Sequence, residues 1–264
     1  MINDMSSDYH HLKISEQNGV LTVDLRRPPV NALNTELVSE LQSVIRQIHN
    51  NEQLRVVILT GTGEQFCAGA DLKERKTMSD AEVTEFIHSI RNCFYDWYNI
   101  PIPTICAMNG GAYGGGLELA LMCDIRIIAE DALLGLRETR LGIIPGAGGT
   151  QRLSRVAGES VALRWIMTGE IFSARDALND RVVDFLCPPG ELEKFTFEIA
   201  EQILQSAPIA VKQAKKVIRQ GLEMPFKAAL EFETECYNVT IPTEDRTEAL
   251  RAFTEKRPPK WQGK

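Results

Sequence analysis

The sequence predicts an α/β protein, and three observations carry that prediction. Short apolar strands alternate with helix-patterned stretches, and glycine clusters sit between a strand and the helix that follows. Strand patterns then stop near residue 190, giving way to helical stretches alone. No fixed sequence period underlies the alternation, so the architecture repeats while the sequence does not.

The elements follow in order. HLKIS and VLTVDL flank Asn18–Gly19, the signature of a hairpin. Asn34 is placed to cap a helix whose Leu37, Val38, Leu41, Val44, Ile45 and Ile48 keep the spacing of one apolar face. Val56–Leu59 is a short apolar run bounded by Arg55 and Gly61, as expected of a buried strand. Ser79 with Glu82 three residues on forms a capping box for a helix bearing Val83, Phe86, Ile87, Ile90, Phe94 and Trp97. Thr104–Met108 reads as a strand, NGGAYGGG as a turn, LELALMC as a helix start and DIRIIA as another strand. LGIIPGAGGTQRLSRVAG reads as a loop leading into a helix. Beyond residue 190, the stretches 191–205, 208–220, 225–240 and 243–253 read as helices, with Pro208 suited to a first turn and Gly221 to an end. The expected division is therefore a core over residues 1–190 that carries the active site and a helical region over 191–264. A helical tail with apolar stripes docks on the core or on another subunit, so oligomerisation is expected.

Composition narrows the function. The chain has 264 residues, 44% hydrophobic and 25% charged, the balance of a globular protein with a full core. Its 29 Lys and Arg against 36 Asp and Glu give a net charge of −7, which disfavours nucleic-acid binding through phosphate neutralisation. The 80–100 stretch, where Asp80, Glu82, Glu85 and Asp96 face a single Arg91, argues the same way against an RNA-binding helix face. The six cysteines, Cys67, Cys93, Cys106, Cys123, Cys187 and Cys236, form no CxxC pair and read as buried thiols of a reducing compartment. His10, His11, His49 and His88 lie away from the glycine-rich stretches, so neither a histidine triad nor a zinc site is expected. No secretory signal and no membrane span is expected either, which points to a cytoplasmic protein.

Three stretches can carry chemistry: FCAGADLKE (66–74), NGGAYGGGLELA (109–120) and RETRLGIIPGAGGTQRL (137–153). The spacing fits neither GxxxxGK[ST] nor GxGxxG, so a phosphate cradle is disfavoured. A strand–GGG–helix turn instead offers helix-start amides that lack intrahelical partners, open to a ligand because no Cβ intervenes. Gly69-Ala70-Asp71 offers a second such donor, and two donors from separate turns make an oxyanion hole. Glu118, among Leu117, Leu119 and Ala120, is either on a solvated stripe or buried for a purpose. Glu138, between Arg137 and Arg140, taken alone reads as a surface ion-pair partner. Two carboxylates beside two amide turns, with almost no histidine, make a carboxylate acid–base pair conceivable.

These blocks, together with GGGLELALMCDIRIIA and LGIIPGAGGTQRL in this order, resemble the crotonase (enoyl-CoA hydratase/isomerase) superfamily from about residue 12 to the end. The closing TIPTEDRTEALRAFTEKRPPKWQGK is similar to the short-chain hydratase branch that includes methylglutaconyl-CoA hydratases. The resemblance implies a spiral of ββα units with a helical C-terminal trimerisation region, often paired into a hexamer, and an acyl-CoA thioester substrate with no separate cofactor or metal. It implies oxyanion donors at Ala70 and Gly115 and the two hydratase glutamates at Glu118 and Glu138. It further implies coenzyme A contacts at Arg27, Ala32, Ala68, Asp71, Leu72, Lys73, Gly146, Phe253 and Lys256. The implied reaction adds water to a 2-trans-enoyl thioester, with Glu118 assigned as base and Glu138 as acid. An enoyl-CoA isomerase, a methylglutaconyl-CoA hydratase and an RNA- or protein-binding module are the alternatives. Two positions depart from the usual pattern. Arg137, if it faces the pocket, suits either holding Glu138 ionised or meeting an acidic acyl group, and if it faces solvent it has no role; Tyr113 suits a shortened acyl pocket.

Overall fold

The computed structural model describes residues 3–4 and 9–264. It divides into two compact units, one of residues 1–100 and 104–197, the other of residues 101–103 and 198–264. The strands end near residue 190, as expected, but the compact units divide later, within a helix.

In the first unit the described elements run β1 (Asn3–Asp4), β2 (Leu12–Gln17), β3 (Val20–Leu25), α1 (Thr35–Asn50), β4 (Val56–Gly61), β5 (Gln65–Cys67), α2 (Leu72–Arg75) and α3 (Asp80–Tyr98). They continue with β6 (Thr104–Met108), β7 (Gly111–Tyr113), α4 (Gly115–Met122), β8 (Ile125–Ala129), β9 (Leu133–Gly135), a 3₁₀ turn (Glu138–Leu141), α5 (Gly149–Ala157), α6 (Glu159–Thr168), β10 (Phe172–Ser173), α7 (Ala174–Asn179) and β11 (Phe185–Cys187).

The strands form a seven-stranded sheet, β1-β2-β3-β4-β6-β8-β11, and a four-stranded sheet, β10-β9-β7-β5. The β2–β3 hairpin turns at Asn18 and Gly19, both at positive φ (53° and 78°), the conformation a two-residue hairpin turn needs. From β3 onward the large sheet is parallel. In the small sheet β5, β7 and β9 are parallel neighbours. Successive strands therefore alternate between sheets: β4, β6 and β8 go to the large one, and β5, β7 and β9 to the small one, each pair followed by helix. This is the spiral of ββα units that the sequence resemblance implies.

Packing follows the sequence pattern. All six apolar residues of the α1 stripe are buried, and the Asn34 side chain caps the helix by accepting from the Leu37 amide. The Ser79–Glu82 capping box starts α3, which buries Phe86, Ile90, Phe94 and Trp97 while Val83 and Ile87 stay half-buried. Every residue of β6 is buried. Side chains such as Leu59 and Ile105 each contribute about 1.5–3 kcal/mol by leaving water. Buried Arg126 is satisfied by Asp184 (3.0 Å) and by the carbonyls of Val182 and Cys123 (both 2.8 Å). All six cysteines are free and buried.

One expectation needs correcting. NGGAYGGG is not a single turn, because its Gly111–Tyr113 forms β7. That segment is held by close approach of other backbone: a Cβ on Gly110 would lie 2.0 Å from the Glu64 carbonyl oxygen. Tertiary pairing overrides the turn propensity of glycine there.

The second unit holds α9 (Pro208–Gly221), α10 (Phe226–Thr240) and α11 (Glu244–Glu255), and α8 (Leu192–Leu204) crosses its boundary. Pro208 opens α9 and Thr243 caps α11. The C-terminal end is tied down: buried Asp245 accepts from the amides of Gln262 (2.6 Å) and Gly263 (3.0 Å), and Arg257 grips Glu248 (2.6 and 3.1 Å).

Candidate active site

The small sheet gathers three segments that are far apart in sequence. Because β5, β7 and β9 run parallel side by side, the chain leaves all three at the same end, where crevices form in open α/β sheets. Those exits are Ala68-Gly69-Ala70, Gly114-Gly115 at the start of α4, and Arg137-Glu138 at the 3₁₀ turn.

Two amides come free there for different reasons. Leu33 bridges this first segment, donating to the Gly69 carbonyl and accepting from the Asp71 amide (both 2.8 Å), so the peptide N–H of Ala70 points the other way. Gly115 opens α4, where first-turn amides have no intrahelical acceptor. Among the described residues, neither amide is engaged. The two are neighbours, since a Cβ on Gly115 would sit 3.6 Å from the Ala70 nitrogen. Glycine is required at 69, where φ is +88° and a Cβ would meet the Tyr113 oxygen at 2.7 Å.

Glu118, one turn into α4, is only 3% exposed. Its Oε1 accepts from the amides of Ala147 (2.9 Å) and Gly149 (2.7 Å), the latter opening α5. Burial pushes its pKa up to about 7; the Gly149 and Ala147 amides pull it down and the charge of Glu138 adds to the rise. Glu138 is likewise raised by burial, against a hydrogen bond from its own backbone. Its Oε2 is buried with no hydrogen-bond partner among the described residues, and its Oε1 lies 2.9 Å from where a Cβ on Gly114 would be. The ion-pair reading of Glu138 fails: among the described residues no ion pair engages it, and the Arg140 Nε donates to the Thr168 carbonyl (2.9 Å).

Both carboxylates and both free amides line one cleft of about 670 Å³. Its other walls include Ala68, Leu72, Ile87, Ile90, Tyr113, Arg137, Ile143, Ile144 and Gly146. Of the residues that the sequence offers for coenzyme A, the cleft therefore gathers Ala68, Leu72 and Gly146. Arg27, Ala32 and Asp71 form a separate cluster, in which the Arg27 guanidinium contacts Asp71 (2.6 Å) and the Ala32 carbonyl (3.0 Å). Asp71 caps α2 by accepting from Lys73 (2.9 Å) and Glu74 (3.3 Å). Burial would raise its pKa, but Arg27 and those two amides hold it below the usual carboxylate range. The Lys73 side chain is exposed, and Phe253 (85% exposed) and Lys256 belong to the second unit.

Sequence reasoning missed the anchors of Glu118. The signal was present in PGAGG ahead of a helix, where Gly148 at φ +111° turns the chain so that the Gly149 amide opens α5. A cleft-facing anion at a helix start is what such a turn provides.

A family model described as enoyl-CoA hydratase/isomerase matches residues 15–264. The human enoyl-CoA hydratase domain-containing protein 2, mitochondrial, is 43% identical over 252 residues, covering 93% of this chain and 86% of that one. Human methylglutaconyl-CoA hydratase, mitochondrial, is 39% identical over 259 residues, covering 96% and 76%. The crystal structure of an enoyl-CoA hydratase from Bacillus anthracis superposes with a TM-score of 0.95 at 44% identity, covering 97% of this chain and all of that one.

Proposed function

Since the chain belongs to the enoyl-CoA hydratase/isomerase family, we propose that it hydrates a short-chain 2-trans-enoyl-CoA thioester to the 3-hydroxyacyl-CoA. The observation that carries this reading is the convergence of Glu118 and Glu138 on one cleft beside two unengaged amides. A double-bond isomerisation needs only one proton shuttle, whereas water addition needs a proton removed from water and another delivered to carbon.

The thioester oxygen accepts from the Ala70 and Gly115 amides, which stabilise the enolate charge that develops as the double bond is attacked. Each such donor is worth about 3–4 kcal/mol of barrier. A water oxygen bonds to C3 while its proton passes to Glu118. The C2=C3 electron pair moves towards the thioester, and C2 then takes a proton from Glu138. One water is consumed, the two new bonds form on the same face, and the proton taken up by Glu118 passes back to Glu138 to restore the starting state of the pair. Hydrogen bonding supports this division of roles, since two amides are aimed at the Glu118 carboxylate while a buried oxygen of Glu138 has no partner among the described residues, although burial raises both pKa values. Two such close groups titrate as a pair. The reaction is redox-neutral and these groups supply its proton transfers, so no metal or separate cofactor enters the proposal. Tyr113 in the cleft wall supports the preference for short chains.

Glu118→Gln and Glu138→Gln are each expected to lower kcat for crotonyl-CoA hydration by about 10²–10⁴-fold, read as loss of the conjugated enoyl chromophore. Near-wild-type turnover in either variant refutes the pair. A panel of crotonyl-, long-chain enoyl-, 3-methylglutaconyl- and 3-enoyl-CoA separates the hydratase from the isomerase and from a methylglutaconyl specialist. Apolar side chains left exposed on the second unit, Leu222 (81%) and Phe226 (79%) among them, support a trimer or hexamer, checked by light scattering. A cytoplasmic location, proposed here although the named human relatives are mitochondrial, is checked by cell fractionation.

A further inference from the structure

We propose that Arg137 selects enoyl thioesters bearing a carboxylate at the far end of the acyl chain, a specificity that rests on the hydratase reading above. Two cations line the cleft, Arg137 and Arg140. Arg140 is held to the Thr168 carbonyl, whereas no described group engages the Arg137 guanidinium. Arg137 also does not serve the glutamate beside it. No ion pair or hydrogen bond joins its guanidinium to Glu138 among the described residues, and burial raises the Glu138 pKa. Of the uses Arg137 suits in the sequence, a solvated charge and a partner for an acidic acyl group remain, and its place in the cleft lining favours the second.

Position explains which part of a substrate it meets. With the thioester oxygen on Ala70 and Gly115, Glu118 and Glu138 act at C2 and C3, and the chain beyond C3 runs along the remaining wall. The cleft lining also includes Ile143, Ile144 and Arg137, whose guanidinium no described group engages. An exposed, unengaged arginine in the lining of this cleft is unfavourable for a neutral short chain to cover. It is well matched to a planar carboxylate, which a guanidinium grips with two hydrogen bonds.

The test compares binding of glutaryl-CoA, a five-carbon thioester ending in a carboxylate, with its neutral counterpart pentanoyl-CoA. Both are saturated and unreactive, so calorimetry on the intact protein reads recognition apart from turnover. The ratio of the pentanoyl-CoA to the glutaryl-CoA dissociation constant is expected to fall by about 10–100-fold in Arg137→Gln, with Arg137→Lys recovering part of it. A ratio that stays within about threefold of wild type overturns the proposal, because charge-assisted recognition is worth more than that. Equal weakening of both ligands also overturns it, since that pattern marks a contact with the coenzyme phosphates. Hydration of crotonyl-CoA, measured alongside, fails only if the hydratase reading fails, so the two failures are told apart.

Discussion

The two sheets of the first unit divide the labour of the molecule. The seven-stranded sheet is built from runs such as Val56–Leu59 and Thr104–Met108, whose side chains are buried and whose contribution is cohesion. The four-stranded sheet has strands of two or three residues, rich in glycine, and from the ends of three of them come both free amides and both carboxylates. A long apolar strand holds its place through side chains. A three-residue strand holds it through backbone pairing, which leaves its side chains and following turns available for chemistry. Stability and reactivity are thus carried by different strands of one spiral.

Leu59→Ala tests the large sheet. Its fully buried side chain should be worth about 2–5 kcal/mol, read from denaturant unfolding, with kcat per folded molecule unchanged. A parallel collapse of kcat breaks the division. Glu118→Gln tests the small sheet from the opposite side. Because the folded Glu118 binds its proton more tightly than the ordinary value of 4.5 allows in the unfolded chain, its contribution to stability is complete below that value and is lost as pH rises towards 7. The loss amounts to roughly 3 kcal/mol. The glutamine variant should therefore gain stability over wild type between pH 4 and pH 8 while losing activity, and a difference independent of pH refutes the assignment. The smallest expected effect is at Asn34→Ala, far from the small sheet, which should cost about 1 kcal/mol through loss of the α1 cap and leave kinetics alone.

The same contrast explains what the sequence makes legible. The α1 stripe, the α3 capping box and β6 are long enough for period and capping to speak, and each lies where its pattern places it. β5, β7 and β9 are too short to show any alternation, and their existence depends on partners distant in sequence. The candidate site is legible as a set of residue types and through family resemblance. Glu118 is ambiguous until the amides of Ala147 and Gly149 are known, and the contacts of Arg27 with Asp71 and Ala32 have no local signal in the sequence. Local pattern reports on chain segments, whereas a site is a relation between them.

Leu33 uses its own N–H and C=O on the flanks of Ala70, and that arrangement has a genetic consequence. The donors at 70 and 115 belong to the polymer and not to any side chain, so no single replacement but proline deletes them; otherwise they vanish only when the local path of the chain changes. Random mutagenesis scored by loss of turnover should therefore mark the supports, such as Leu33 and Gly69, more heavily than position 70 itself.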